Sequence, residues 1–168
     1  MRWLVDQLLA VSLGLASASA GDSTRLNFEC RGADFNVHRG KGRLSGPVRV
    51  QIGDWIIECS REALVTARST LVRNQTTGAI GVEGVNRRII FLGQCRASHG
   101  LTCLEAPALV LDLEKLTVTG SGLGMTLTGM TDEPSHSTHS DARATIDLES
   151  GQMSRTDLSW SPAHPSSH

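Results

Sequence analysis

The chain has no tyrosine and only three phenylalanines and three tryptophans in 168 residues. Any sizeable interior must therefore be filled by aliphatic side chains, because there are too few rings to fill it. Beyond the first twenty residues there is no apolar run near the roughly 20 residues that a membrane-spanning helix needs. Helical periodicity is almost absent over the same stretch, which argues against an α or α/β fold. A nucleotide loop is missing as well: Gly120-Ser121-Gly122-Leu123-Gly124 lacks the third glycine at the required place and opens no helix. Cys95, His99 and Cys103, even with His136 or His139 added, do not have standard zinc spacing. Residues 135–141 are rich in Ser, His and Asp but offer no shaped turn to hold a nucleophile. The chain is accordingly read as a non-enzyme, with no cofactor, no metal and no nucleic-acid partner. Asn74-Gln75-Thr76 is a glycosylation sequon, meaningful only in a eukaryotic secretory route.

The N-terminus carries a secretory signal. Arg2 supplies a positive charge, residues 8–16 an apolar run, and Ala18-Ser19-Ala20 a small-x-small cleavage site. Cleavage there places the protein outside the cytosol. It leaves one β domain over residues 21–158, with residues 159–168 as a loose tail that includes His164 and His168. In an exported chain, four cysteines (Cys30, Cys59, Cys95 and Cys103) favour two disulfides. Three pairings are possible; Cys30–Cys59 with Cys95–Cys103 is favoured, the second because its members are symmetric about His99.

Charge is divided along the chain. Residues 21–100 hold 12 Lys/Arg against 7 Asp/Glu, leaving +5, and residues 101–168 hold 3 against 9, leaving −6. Such a division suits an anionic partner at one end, or a second copy bound head to tail, as well as plain solvated charge.

Two-residue alternation recurs after the signal. Val48-Arg49-Val50-Gln51-Ile52, Trp55-Ile56-Ile57-Glu58-Cys59, Leu109-Val110-Leu111-Asp112-Leu113, Leu123-Gly124-Met125-Thr126-Leu127 and Ala144-Thr145-Ile146-Asp147-Leu148 each predict a strand with one apolar face. Turn signals separate them at Gly53-Asp54, Ser98-His99-Gly100, Gly120-Ser121-Gly122 and Ser150-Gly151. The polar stretch 132–140 reads as a loop between two strands. A unit of short strand, turn, short strand and longer strand repeats, with Glu29-Cys30-Arg31-Gly32-Ala33 echoing Glu58-Cys59-Ser60-Arg61-Glu62-Ala63. Cys103 falls at the equivalent place in a later unit. One such unit cannot bury its apolar face alone, so the units must stack. The expectation is an all-β, repetitive, stacked antiparallel body, either solenoid-like or a jellyroll.

Three phrases carry a resemblance. Gly46-Pro47-Val48-Arg49-Val50-Gln51-Ile52-Gly53-Asp54, Gly84-Val85-Asn86-Arg87-Arg88-Ile89-Ile90-Phe91-Leu92-Gly93 and Asp141-Ala142-Arg143-Ala144-Thr145-Ile146-Asp147-Leu148-Glu149-Ser150-Gly151 are similar to segments of the OstA-like (LptA-type) family of periplasmic lipopolysaccharide-transport proteins, built as a β-jellyroll or "β-taco". The resemblance spans residues 40–155. It implies a groove that accepts acyl chains of lipopolysaccharide or a similar amphiphile, with open strand edges that pair with neighbouring envelope transport proteins.

The alternating side chains that would line such a groove are Val48, Val50, Ile52, Ile57, Ile89, Phe91, Leu109, Leu111, Leu113, Met125, Leu127, Ile146 and Leu148. The same residues would equally pack as a dry core. Arg39, Lys41, Arg43 and Arg49 are candidates to meet glycolipid phosphates. The reading that needs no lipid is a structural or adhesion scaffold that binds protein partners.

Overall fold

The computed structural model describes residues 9–13, 26–36, 39–73, 80–129, 134–155 and 160–162. The sequon at residues 74–76, the cleavage site at residues 18–20 and the terminal histidines lie outside them. Among the described residues, fifteen strands form one branched antiparallel sheet, so the fold is all-β, as the alternation requires. Among the described residues, no helix is long and apolar enough to cross a membrane.

Most strands come as pairs that follow one another with a short break. β2 (Leu26–Cys30) leads into β3 (Gly32–Asn36), β4 (Lys41–Ser45) into β5 (Val48–Ile52), and β6 (Trp55–Cys59) into β7 (Glu62–Arg73). Beyond β8 (Ile80–His99) and β9 (Thr102–Asp112), β10 (Thr117–Ser121) is followed by β11 (Thr126–Thr128). The same holds for β12 (Ser135–Ser137) with β13 (Arg143–Asp147) and for β14 (Met153–Arg155) with β15 (Trp160–Pro162).

The pairing sorts the halves into two arms. β2, β5, β6, the end of β8, the start of β9, β11, β12 and β15 form the first arm. β3, β4, β7, the rest of β8 and β9, β10, β13 and β14 form the second. β8 and β9 run unbroken through both. At their crossing the register steps from Leu92–Ala108 to Cys95–Ala106, so Gly93 and Gln94 oppose Pro107 alone. That is a β-bulge, and it suits a residue with no amide hydrogen to give.

The bend continues across the sheet through Arg31, Gly46-Pro47 and Ser60-Arg61, and two glycines make it possible. Gly93 sits at φ +105°, and a Cβ there would lie 2.7 Å from Ser60 Oγ. Gly46 sits at φ +84°, and a Cβ there would lie 2.9 Å from the Arg31 side chain. Only glycine meets both demands at little cost.

Inside, aliphatic rows cross each arm from edge to edge. In the first arm Phe28, Val50, Ile57, Ala97, Leu104 and Leu127 stand partner to partner. In the second, Val65, Ile89, Leu111, Val118, Ile146 and Met153 do the same. These rows meet in one apolar cluster. The outer face of the first arm carries a row of alternating sign, Glu29, Arg49, Glu58, Arg96 and Glu105, on the side chains one residue out of phase. Two pairs in it approach as ion pairs, Arg49–Glu58 at 3.6 Å and Arg96–Glu105 at 3.7 Å.

Three segments differ from expectation. Residues Leu9–Leu13, placed in the cleaved signal by the sequence, form β1 and pair along the outer edge of β2. The stretch read as a loop contains β12, which pairs with β11 and β15. Trp160–Pro162, assigned to the tail, is β15 itself. Isolated three-residue strands lack the length for visible alternation, so only their pairing reveals them.

Candidate functional site

Of the thirteen apolar candidates, eleven are no more than 3% exposed, and Val50, Ile57, Ile89, Phe91, Leu109, Leu111, Met125 and Ile146 are at 0%. The other two, Leu113 and Leu148, are partly buried and pack against the same cluster. The structure thus brings the whole set together between the arms, and it does so as a filled interior. Removing this surface from water supplies the folding drive, at roughly 25 cal/mol per Å².

Leu113 and Leu148 lie at the open lip, where the second arm turns away from the bend, together with Leu116 and Met153. From the first arm Trp55 reaches this lip. Its ring sits 5.1 Å from the His99 ring, tilted by 43°. Its Nε1 donates to the Leu148 carbonyl at 3.0 Å. That bond joins the free end of one arm to the free end of the other. The Leu148 turn is held in shape by Asp147, whose Oδ1 accepts from the Ser150 amide at 2.8 Å and the Glu149 amide at 3.0 Å. Hydrogen bonds from Ser150, first its amide and then its hydroxyl, hold the Asp147 carboxyl below the ordinary carboxylate range. Trp55 was absent from the sequence-based lining, although the two-residue phase that puts Ile57 inside puts Trp55 inside as well.

A second bond between arms runs from Arg155 Nη1 to Ser135 Oγ at 2.8 Å. Nearby, Ser137 Oγ donates to the Gly122 carbonyl at 2.7 Å and accepts from the Met125 amide at 2.8 Å. These buried hydroxyls fasten the break between β10 and β11 to β12.

The basic candidates do not converge. Lys41 and Arg43 lie on the exposed face of β4 in the second arm, with Arg39 in the turn before it. Arg49 belongs to the first arm. Arg43 is bound to Glu62 and Arg49 to Glu58. The four therefore stand at separate positions, two of them partly neutralised by a glutamate.

The favoured disulfides are not formed in this structure. All four cysteines are free thiols. Cys30 is on β2 and Cys59 on β6, with β5 between them, so about two strand spacings, roughly 9.5 Å, separate them. Cys95 is buried on the inner face, whereas Cys103 turns outward and accepts a hydrogen bond from Arg96 Nε at 3.2 Å. The mirror partner of Cys103 across the hairpin is Ser98, because the turn is centred after His99 rather than on it.

On the outer side of the bend lie two hollows of about 490 and 530 Å³, on either side of Gln94. Among the described residues, no group of three His, Cys, Asp or Glu side chains is arranged to hold a metal ion. No family model matches the chain, and no curated protein matches it.

Proposed function

We propose that this chain is an exported, periplasmic lipid carrier of the OstA-like kind, which holds acyl chains of lipopolysaccharide or a similar amphiphile between its two arms. The observation that carries this reading is the hinged form of the sheet. The arms share backbone along the bend, while away from it they meet through apolar rows and the side-chain bond from Trp55 to Leu148. Parting them at the lip breaks none of the ladder hydrogen bonds within either arm. It exchanges aliphatic contact between arms for aliphatic contact with an acyl chain. Each acyl methylene taken from water contributes about 0.8 kcal/mol, so a few chains offset the opening.

Edge strands would provide the hand-over to neighbouring envelope proteins. Removal of a leader ending at residue 20 would take β1 with it and leave β2 unpaired along its outer side, a template for strand addition. The division of charge along the chain would favour one order in a head-to-tail contact.

One observation favours the other reading, a β scaffold that binds protein partners and no lipid: the interior is filled, with eleven of its thirteen candidate lining residues at 3% exposure or less. A photo-crosslinking residue at Leu111 or Ile146, irradiated with purified lipopolysaccharide, separates the two. Carriage predicts a lipid adduct from the interior positions and none from an exposed control at Gln51. No adduct from either interior position would leave the scaffold.

A further inference from the structure

Three of the four cysteines lie on the inner side of the first arm beside the bend, and two of them face each other. Cys59 of β6 stands directly opposite Cys95 of β8. The adjoining pair is Ser60 and Gln94, where the Ser60 amide donates to the Gln94 carbonyl at 3.1 Å. Hydrogen-bonded and non-hydrogen-bonded pairs alternate along an antiparallel ladder. Cys59 and Cys95 are therefore a non-hydrogen-bonded pair, with Cα atoms about 4.5 Å apart and both side chains on one face. That separation falls within the range of about 4.4–6.8 Å that a disulfide spans. Cys30 lies beyond the intervening β5, and Cys103 is on the opposite face beside Arg96. We propose that Cys59 and Cys95 are a redox-active pair that closes to a cross-strand disulfide at the bend, leaving Cys30 and Cys103 as thiols.

The two sulfurs are unequal. A hydrogen bond from Cys95 brings the Cys59 pKa down to about 7, against the upward push of burial. The same contact, then burial, pushes Cys95 well above the ordinary thiol range. Cys59 is therefore the more acidic of the two and the one that more readily supplies the thiolate, the form that attacks disulfides.

Closure proceeds by thiol–disulfide exchange with a disulfide-bearing oxidant. The Cys59 thiolate attacks one oxidant sulfur, forming a mixed disulfide and releasing the first oxidant thiolate. Cys95 then loses its proton and attacks the Cys59 sulfur, forming the intramolecular bond and expelling the second thiolate. Two electrons pass to the oxidant, and both released thiolates take up protons, so the oxidant ends as two thiols. The bridge ties β6 to β8 and encloses β7, and it stands independently of lipid carriage.

The test uses the full chain treated with oxidised glutathione, then alkylated in denaturant and digested without reduction. The expected product is a peptide linking Cys59 to Cys95, lighter by two hydrogens than its reduced halves, with Cys30 and Cys103 alkylated. The oxidised protein should melt about 10 °C above the reduced one, and a Cys59→Ser, Cys95→Ser double variant should show no such shift under the same oxidant. Alkylation of all four cysteines after oxidant treatment, or a link through Cys30 or Cys103, would overturn the proposal; the mapping is read on the unmutated chain and does not depend on the variant folding.

Discussion

Along the bend, β8 and β9 run unbroken from one arm into the other, whereas at the lip the arms meet through the Trp55 ring, its bond to Leu148 and apolar contact. The first boundary is covalent and locked by backbone geometry that glycine alone adopts without strain. The second is held by side chains. A sheet built this way has a stiff side and a side that opens, and the same interior residues face both.

The comparison can be broken most sharply in the core next to the bend. Phe91 is fully buried one residue from the register step, so Phe91→Ala should cost about 3–5 kcal/mol in denaturant unfolding. A cost below about 1 kcal/mol would mean that the bend is not tightly packed.

At the lip the expected effect is smaller and local. Trp55→Phe keeps an aromatic ring but removes the donor to the Leu148 carbonyl, so global stability should fall by about 1 kcal/mol. Amide exchange should speed up over residues 148–152 while remaining unchanged at residues 92–95. Equal acceleration at both places would erase the distinction between bend and lip.

The smallest effect is one of pH. The carboxyl of Asp147 has a lowered pKa in the fold, from its hydrogen bonds to Ser150 and then Glu149. Its contribution is therefore full above the ordinary carboxylate pKa and is lost as pH falls through the lowered folded value. Asp147→Asn keeps an acceptor without the charge. It should be less stable than the parent at neutral pH and match it in acid, as read from melting curves across pH. A difference that persists unchanged in acid would show that the charge is not what shapes this turn.

Much of the first arm was legible in the sequence because its strands are short, bounded by turns and apolar on one face. In the structure, the five residues from Val48 to Ile52 alternate buried and exposed without exception. The echo between Cys30 and Cys59 was also real, since each is the last residue before a break. It misled about pairing because successive units in an antiparallel sheet are separated by a strand running the other way. The true partner of Cys59 lies on β8, past the whole of β7, and register over such a distance leaves no local mark. Trp55 escaped notice for a different reason: its role depends on a carbonyl 93 residues away, at Leu148.

Lip opening is tested most directly by measuring the distance between nitroxide labels, attached through non-natural residues at the exposed positions Asp54 and Glu149, one beside each end of the Trp55–Leu148 bond. A single short distance distribution is predicted without lipid, moving to longer and broader distances when purified lipopolysaccharide is added. A distribution that stays short and narrow at saturating lipopolysaccharide would contradict an interior that opens at the lip.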